Sequence, residues 1–266
     1  MHYYDQHMHT HFSPDSVETF EHYLERSAGK RLITTEHLDY FSAEQASDDV
    51  IPDFDAYSAK IERLNDLYDN RILKGIEVGF TYPDKEKIQD FLKGKDYDLI
   101  LMSIHHNGRY GFMQLGNDDV PLEEQLEEYY SLMLQGVREF TNANVLAHFD
   151  FGLRSYEVSV EELKTVEHKL VQIFETAVQQ DMALELNTRS MYRYGNAHLY
   201  EYAIDLYRSV GGTLFTVSSD AHVAEDYELQ FNEAFAMLED HGVEQVVVFQ
   251  NQQPTFVEIP QRVNAQ

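Results

Sequence analysis

The sequence predicts a single α/β domain whose parallel strands close into a TIM-like barrel, and three observations carry that expectation. Short β-rich runs alternate with longer amphipathic ones along all 266 residues, the pattern of parallel strands joined by crossover helices. Each of the first seven β-rich runs ends in polar candidates: His7/His9, Glu36/His37, Glu77, His105, His148, Glu185/Asn187/Arg189 and Asp220/His222. A barrel gathers its strand C-termini around one axis and builds its site there, whereas an open sheet concentrates the site at one switch point, so a ring of polar ends selects the barrel. Finally, no flexible linker, low-complexity tract or internal repeat interrupts residues 1–266, and that length suits one large α/β unit.

The elements follow in order. A strand is expected over His2 to His7, then a helix over Val17 to Ala28, where apolar residues recur at three- and four-residue spacing. Arg31 to Thr35 reads as the next strand. The acidic stretch from Asp48 to Asp55, with Pro52 inside it, reads as a solvated loop before the helix Phe54 to Tyr68. Strands at Ile72 to Val78 and Leu99 to Ile104 precede the helix Leu122 to Phe140, and Asn144 to His148 is the fifth strand. Ser159-Val160-Glu161-Glu162 has capping-box spacing and opens the helix Val160 to Gln179. Met182 to Leu186, the helix Ala197 to Ser209 with Gly211-Gly212 after it, and Thr213 to Ser218 complete seven strands. The helix Ala224 to Glu239 and the run Gln245 to Phe249 follow.

Hydrophobic residues make up 43% of the chain and aromatics 13%, enough for a sizeable core. Lys and Arg total 20 against 47 Asp and Glu, a formal charge of −27, which repels a phosphate backbone and an anionic membrane surface. Nucleic acid and membrane are therefore excluded as expected partners. The first residues carry no basic region with an apolar signal core, and no run approaches a membrane span, so a cytoplasmic protein is expected. With no cysteine, disulfides and thiolate ligands are excluded.

The polar strand ends have the composition of a metal site. Imidazole and carboxylate bind borderline divalent ions, and alternate residues of a strand point the same way, so His7 and His9 can grip one ion together. Asp220 and His222, in Ser219-Asp220-Ala221-His222, answer them about 200 residues later. Glu77 places a charge in an otherwise apolar strand, where an unpaired carboxylate would cost several kcal/mol and a metal would remove that cost. His2, His11, His22, His168, His198 and His241 lack such a context and read as surface or hydrogen-bonded residues, as does His106. Ser103, Ser218 and Ser219 lack a Gly-x-Ser-x-Gly elbow and read as packing residues rather than nucleophiles.

The motifs Asp5-Gln6-His7-Met8-His9-Thr10, Thr34-Thr35-Glu36-His37, Gly75-Ile76-Glu77, Ser103-Ile104-His105-His106, Ala147-His148-Phe149-Asp150 and Ser218-Ser219-Asp220-Ala221-His222, in that order, resemble the polymerase and histidinol phosphatase (PHP) superfamily, and within it the stand-alone histidinol-phosphate phosphatases. Glu36 departs from the Asp that many members carry before the histidine. The resemblance implies a distorted (β/α)7 barrel, with the run from Gln245 outside the ring. It also implies three divalent ions, zinc, manganese or iron: one on His7, His9, Glu77 and Asp220, a second on a bridging Glu77 with His105 and His148, and a third on Asp15, His37 and His222. Asp15, in Ser13-Pro14-Asp15-Ser16, reads equally as a turn leading into a helix.

Such a centre retains a surplus of positive charge that suits a phosphate dianion. Arg154 and Arg189, just beyond the fifth and sixth strands, are placed to fork onto phosphate oxygens. The expected chemistry is metal-assisted hydrolysis of a small phosphomonoester, with Asp220 and His222 at the reacting centre. By resemblance the substrate is L-histidinol phosphate of histidine biosynthesis. A phosphoesterase of the same superfamily acting on another small phosphoester (a nucleotide, sugar phosphate or phosphotyrosine), or a non-catalytic metal-binding accessory domain, are the alternative readings.

Overall fold

The computed structural model describes residues 2–41, 48–114 and 120–260. Its elements run α1 (Phe20–Arg26), β1 (Leu32–Asp39), α2 (Phe54–Leu67), β2 (Ile72–Gly79), α3 (Lys85–Leu92), β3 (Leu99–Ser103), α4 (Leu122–Glu139) and β4 (Val145–Leu146). There follow α5 (Val160–Leu163), α6 (Glu167–Gln179), β5 (Ala183–Asn187), α7 (Thr188–Arg193), α8 (Ala197–Ser209), β6 (Phe215–Ser218), α9 (Phe231–Asp240), β7 (Gln245–Gln250) and β8 (Gln253–Glu258). β1 to β6 form one parallel sheet in sequence order. All eight residues of β2 are buried, as expected of strands covered on both faces.

The N-terminal run is not the regular strand expected over His2 to His7. Among the described residues its ladder contact is an isolated parallel bridge between Met8 and Ala221. It still joins both edges of the sheet: Ile33 N donates to Asp5 O (3.0 Å), Thr35 N to Met8 O (2.7 Å) and His9 N to Ala221 O (2.8 Å). Side chains replace the missing ladder. The buried Asp5 carboxylate accepts from Ser219 N (3.0 Å) and Glu228 N (3.2 Å), and Tyr23 OH donates to the carbonyls of His9 and Ala221. The segment is thus an irregular seventh stave, which makes the architecture a distorted (β/α)7 barrel.

Gln245 onward lies outside the ring, as expected, as an antiparallel hairpin of β7 and β8. Its two-residue turn has positive φ at Asn251 and Gln252, the geometry that matches strand twist. Gln6 docks it. Its Nε2 donates to Val247 O (2.9 Å) and its Oε1 accepts from Phe249 N (2.7 Å), and Tyr4 OH donates to Phe249 O (2.9 Å).

Other boundaries shift for local reasons. The fifth strand shrinks to Val145–Leu146 because His148 N donates instead to the Glu185 carboxylate (2.7 Å). The helix expected from Val17 starts at Phe20 behind the Thr19 cap. The one expected over Val160 to Gln179 keeps its Ser159–Glu162 capping box but tightens into a 3₁₀ turn at Lys164–Val166 between α5 and α6. Residue Gln230, at φ 52°, separates a 3₁₀ turn at Ala224–Asp226 from α9. Two short helices, α3 and α7, were not expected; α7 begins directly on β5 behind the Asn187 cap. The acidic stretch expected before α2 is a loop with Asp48, Asp49 and Asp53 exposed; Val50 within it bridges to Asp39, and Asp53 caps α2. Among those described, no helix is long and apolar enough to cross a membrane.

Gln6→Ala would leave two buried backbone groups of the hairpin unpaired, and a cost of about 2–6 kcal/mol follows from ~1–3 kcal/mol for each. Urea unfolding should show a lower midpoint at an unchanged m value.

Candidate metal centre

Glu77 sits at the centre of the C-terminal rim, wholly buried on β2. Its Oε1 lies 2.7 Å from His148 Nε2 and 3.1 Å from His105 Nε2, and Ser103 Oγ donates to it. Its Oε2 lies 3.1 Å from His37 Nδ1, 3.3 Å from His7 Nε2 and 3.4 Å from His9 Nε2. The two oxygens therefore face different histidines. Asp220 Oδ1 approaches His9 Nε2 (3.5 Å) and His7 Nε2 (3.8 Å) from the loop after β6. Asp15 Oδ2, in the loop before α1, reaches His37 Nε2 (3.2 Å) and His222 Nε2 (3.0 Å). All nine expected ligands are brought together.

The donor atoms fit a metal better than they fit one another. His7 Nε2, His9 Nε2, His37 Nδ1 and Glu77 Oε2 are buried with no hydrogen-bond partner among the described residues, an arrangement costly unless something occupies the space between them. Four sets place their donor atoms within one ion's reach: His7/His9/Asp220, His7/Glu77/His148, His37/Glu77/His105 and His9/His37/His222. These sets share members. Burial alone would raise the pKa of Glu77, but His7, His105 and His37 outweigh it and hold the carboxylate well below its ordinary range. Burial likewise opposes a charge on His105, yet Asp39 and Glu77 push it up to about 9. Carboxylates that favour protons on these imidazoles also favour a divalent cation among them.

Further polar groups fix which ring nitrogen faces inward. Glu185 Oε1 lies 2.8 Å from His7 Nδ1 and Asp39 Oδ1 lies 2.9 Å from His105 Nδ1, so each ring presents Nε2 to Glu77, the carboxylate–histidine arrangement of metal sites. Both carboxylates are absent from the expected ligand set. Their signals were nonetheless present: Asp39 follows His37 at the strand period of two, and Glu185 interrupts an apolar strand. Glu36 does not join the ligands; it accepts from Thr10 N, Thr10 Oγ1 and Ser13 Oγ, organising the turn between His9 and Asp15. Asp220 has φ 53°, a left-handed conformation rare outside glycine and typical of functional sites.

Arg154 is buried, donating Nε to Ser190 Oγ (2.7 Å) and Nη2 to Asp220 Oδ2 (2.9 Å), with the Phe151 and Tyr194 rings 4.9 and 5.0 Å away. Arg189 Nη1 lies 3.2 Å from Asp220 O and 3.0 Å from His222 Nδ1. Both arginines line a cavity of about 440 Å³ with Asp15, His37, Glu77, His105, His148, Asp220 and His222, within the size range of small-molecule sites. Tyr194, Gly111 and Met113, outside the expected site residues, also line it. Of the histidines read as non-ligands, His22 meets Glu18, His198 meets Val158 O, His241 meets Asp205 and His106 Nδ1 accepts from Gly108 N.

The PHP domain family matches residues 5–189. A histidinol-phosphatase of Lactococcus lactis subsp. lactis (strain IL1403) is 26% identical over 255 residues, covering 92% of this chain and 93% of that protein. A probable histidinol-phosphatase of Clostridium acetobutylicum is 27% identical over 251 residues, covering 91% and 95%. The crystal structure of histidinol phosphate phosphatase from Lactococcus lactis, complexed with zinc, L-histidinol and phosphate, shares the fold at a TM-score of 0.85 and 23% identity, over 94% of this chain and 98% of that one.

Glu185→Gln removes the charged acceptor from His7 Nδ1 and should weaken zinc binding by about 10–100-fold. Competition against a chromophoric chelator measures this.

Proposed function

The chain belongs to the PHP domain family, and on that premise we propose that it is a metal-dependent phosphomonoesterase hydrolysing L-histidinol phosphate to L-histidinol and inorganic phosphate, a cytoplasmic step of histidine biosynthesis. The observation that carries the chemistry is Glu77: its Oε1 faces His105 and His148, and its Oε2 faces nitrogens of His7, His9 and His37 that are buried with no hydrogen-bond partner among the described residues. The names of the relatives carry the substrate.

Three ions of zinc, manganese or iron are the proposed complement: His7, His9, Glu77 and Asp220 hold the first, Glu77, His105 and His148 the second, and Asp15, His37 and His222 the third. Divalent ions so held supply Lewis acidity and activate water for in-line attack on phosphorus. Asp220 aligns the reacting centre, fixed from behind by the Arg154 guanidinium. His222 lines the same cavity and, with its Nε2 given to the third ion, would help stabilise the leaving oxygen through that ion rather than protonate it. Arg154, with Nε and Nη2 engaged by protein, offers Nη1 to a phosphate oxygen, and Arg189 supplies a second guanidinium; both neutralise charge on the transferring group. When its Nδ1 donates to Asp220 O (2.9 Å), His222 presents the Nε2 lone pair to a metal, and Arg189 must then direct its proton to the carbonyl.

The substrate assignment is tested by kcat/KM for L-histidinol phosphate against p-nitrophenyl phosphate, nucleotides, sugar phosphates and phosphotyrosine peptides. L-histidinol phosphate should be preferred; a clear preference for another ester overturns the assignment and leaves the metallophosphatase chemistry in place. Elemental analysis of metal-replete protein should find up to three ions per chain, and His7→Ala, Glu77→Ala or Asp220→Asn should abolish turnover. Arg189→Ala should lower kcat/KM by roughly ten- to a thousand-fold with metals retained. Arg154→Ala should cost at least as much and also loosen metal, because Asp220 loses its buried partner. Lysine at either position should rescue poorly, since it lacks the planar fork.

A further inference from the structure

Asp39 lies at the last position of β1, two residues after His37, with its side chain almost wholly buried. Its backbone is pinned by a reciprocal pair of bonds to Val50, N donating to Val50 O (2.9 Å) and O accepting from Val50 N (2.8 Å). Its Oδ1 is 2.9 Å from His105 Nδ1, and its Oδ2 is 3.7 Å from His37 Nδ1. Directly across the ladder stands Gly79. A Cβ on that residue would fall 1.7 Å from Asp39 Oδ1 and 2.9 Å from His105 Nδ1, so the carboxylate occupies space that only glycine leaves free.

We propose that Asp39 is a positioning residue that orients two metal ligands at once, His105 through Oδ1 and His37 through Oδ2. The inference rests on the metal centre proposed above, where His105 and His37 serve different ions. His37 Nδ1 is buried and lacks a hydrogen-bond partner among the described residues. Its other close carboxylate is Glu77, at 3.1 Å. Once the Glu77 oxygens are committed to metal, Asp39 Oδ2 is the acceptor left for a proton on His37 Nδ1, and rotation of the carboxylate shortens a separation that is otherwise too long for a hydrogen bond. Protonating both Nδ1 atoms leaves both Nε2 lone pairs for metal, one beside Glu77 and one beside Asp15. His7, His9 and Asp220 receive nothing from Asp39.

The test compares wild type, Asp39→Ala and Gly79→Ala by stepwise zinc titration with chelator competition, and by ¹H–¹⁵N NMR of zinc-loaded, ¹⁵N-histidine-labelled protein. Asp39→Ala should weaken two of three ions by about 10–100-fold and spare the third, and the protected Nδ1–H signals of His105 and His37 should be lost to solvent exchange. Gly79→Ala, which keeps the carboxylate but displaces it, should do the same. Unchanged affinities and signals in a wild type that binds three ions overturn the Asp39 assignment alone. Equal weakening of every ion assigns Asp39 to general stability and also overturns it. A wild type that binds no divalent ion overturns the metal reading itself and the two-ligand role with it.

Discussion

The barrel is organised around one buried carboxylate. Glu77 is wholly enclosed, within 3.4 Å of ring nitrogens from five histidines, and a charge so placed is tolerable only if opposite charge surrounds it. The requirement shapes β2 around it. Cβ atoms at Gly75 and Gly79 would approach β1 atoms to 2.6 and 1.7 Å, so glycines on either side of the glutamate let β1 and β2 come together. That close packing puts His37 and Asp39, both on β1, against Glu77 and His105. The seventh stave must then supply His7 and His9 from the opposite direction, and it does so with an irregular backbone because Asp5, Tyr23 and Glu185 hold it through side chains.

The polar shell behind the ligands explains why the irregular parts of the fold are where they are. Glu185 takes both His7 Nδ1 and His148 N, so one side chain orients a ligand on the N-terminal stave and ends β4. Asn187 caps α7 through Ser190 N and accepts from Arg154, tying the helix that was not foreseen to the arginine it supports. Ser16 Oγ bridges the carbonyls of His9 and His222, joining the first ligand loop to the last. Regular hydrogen bonding gives way at the rim because side chains there satisfy the backbone while aiming imidazoles inward.

Much of this was legible in the sequence, and the gaps have physical causes. The alternation of runs and the polar strand ends pointed to the barrel because burial and period act locally on strands such as Ile72–Gly79. The polar ring was conspicuous because histidine and glutamate stand out in apolar strands, whereas Asp15 and the division of nine proposed ligands among three ions came from the resemblance to the PHP superfamily. Asp39 and Glu185 were harder: their work depends on which ring nitrogen they meet, and that is decided by the neighbouring strand, not by spacing. The N-terminal stave was misread as a regular strand because its apolar and aromatic content matches one, while the tertiary bonds of Asp5 replace the ladder. Arg154 looked like a free phosphate ligand; its bond to Asp220, 66 residues away in sequence, is visible only in three dimensions.

The opposing signs of charge at different distances complete the picture. A chain of formal charge −27 repels an approaching phosphate, but screening confines that repulsion to roughly 8–10 Å at ordinary ionic strength. Within the cavity Arg154 and Arg189, with any divalent ions held at the proposed centre, would lie close to a substrate phosphate and be less screened than the bulk of the surface carboxylates. The acidic exterior then acts mainly on the far end of the substrate. An ester carrying an ammonium group is favoured there while its phosphate is favoured inside, whereas a polyanionic nucleotide gains the second attraction and meets the first field with the wrong sign. This distribution of charge therefore favours a small, zwitterionic phosphomonoester over a larger polyanion.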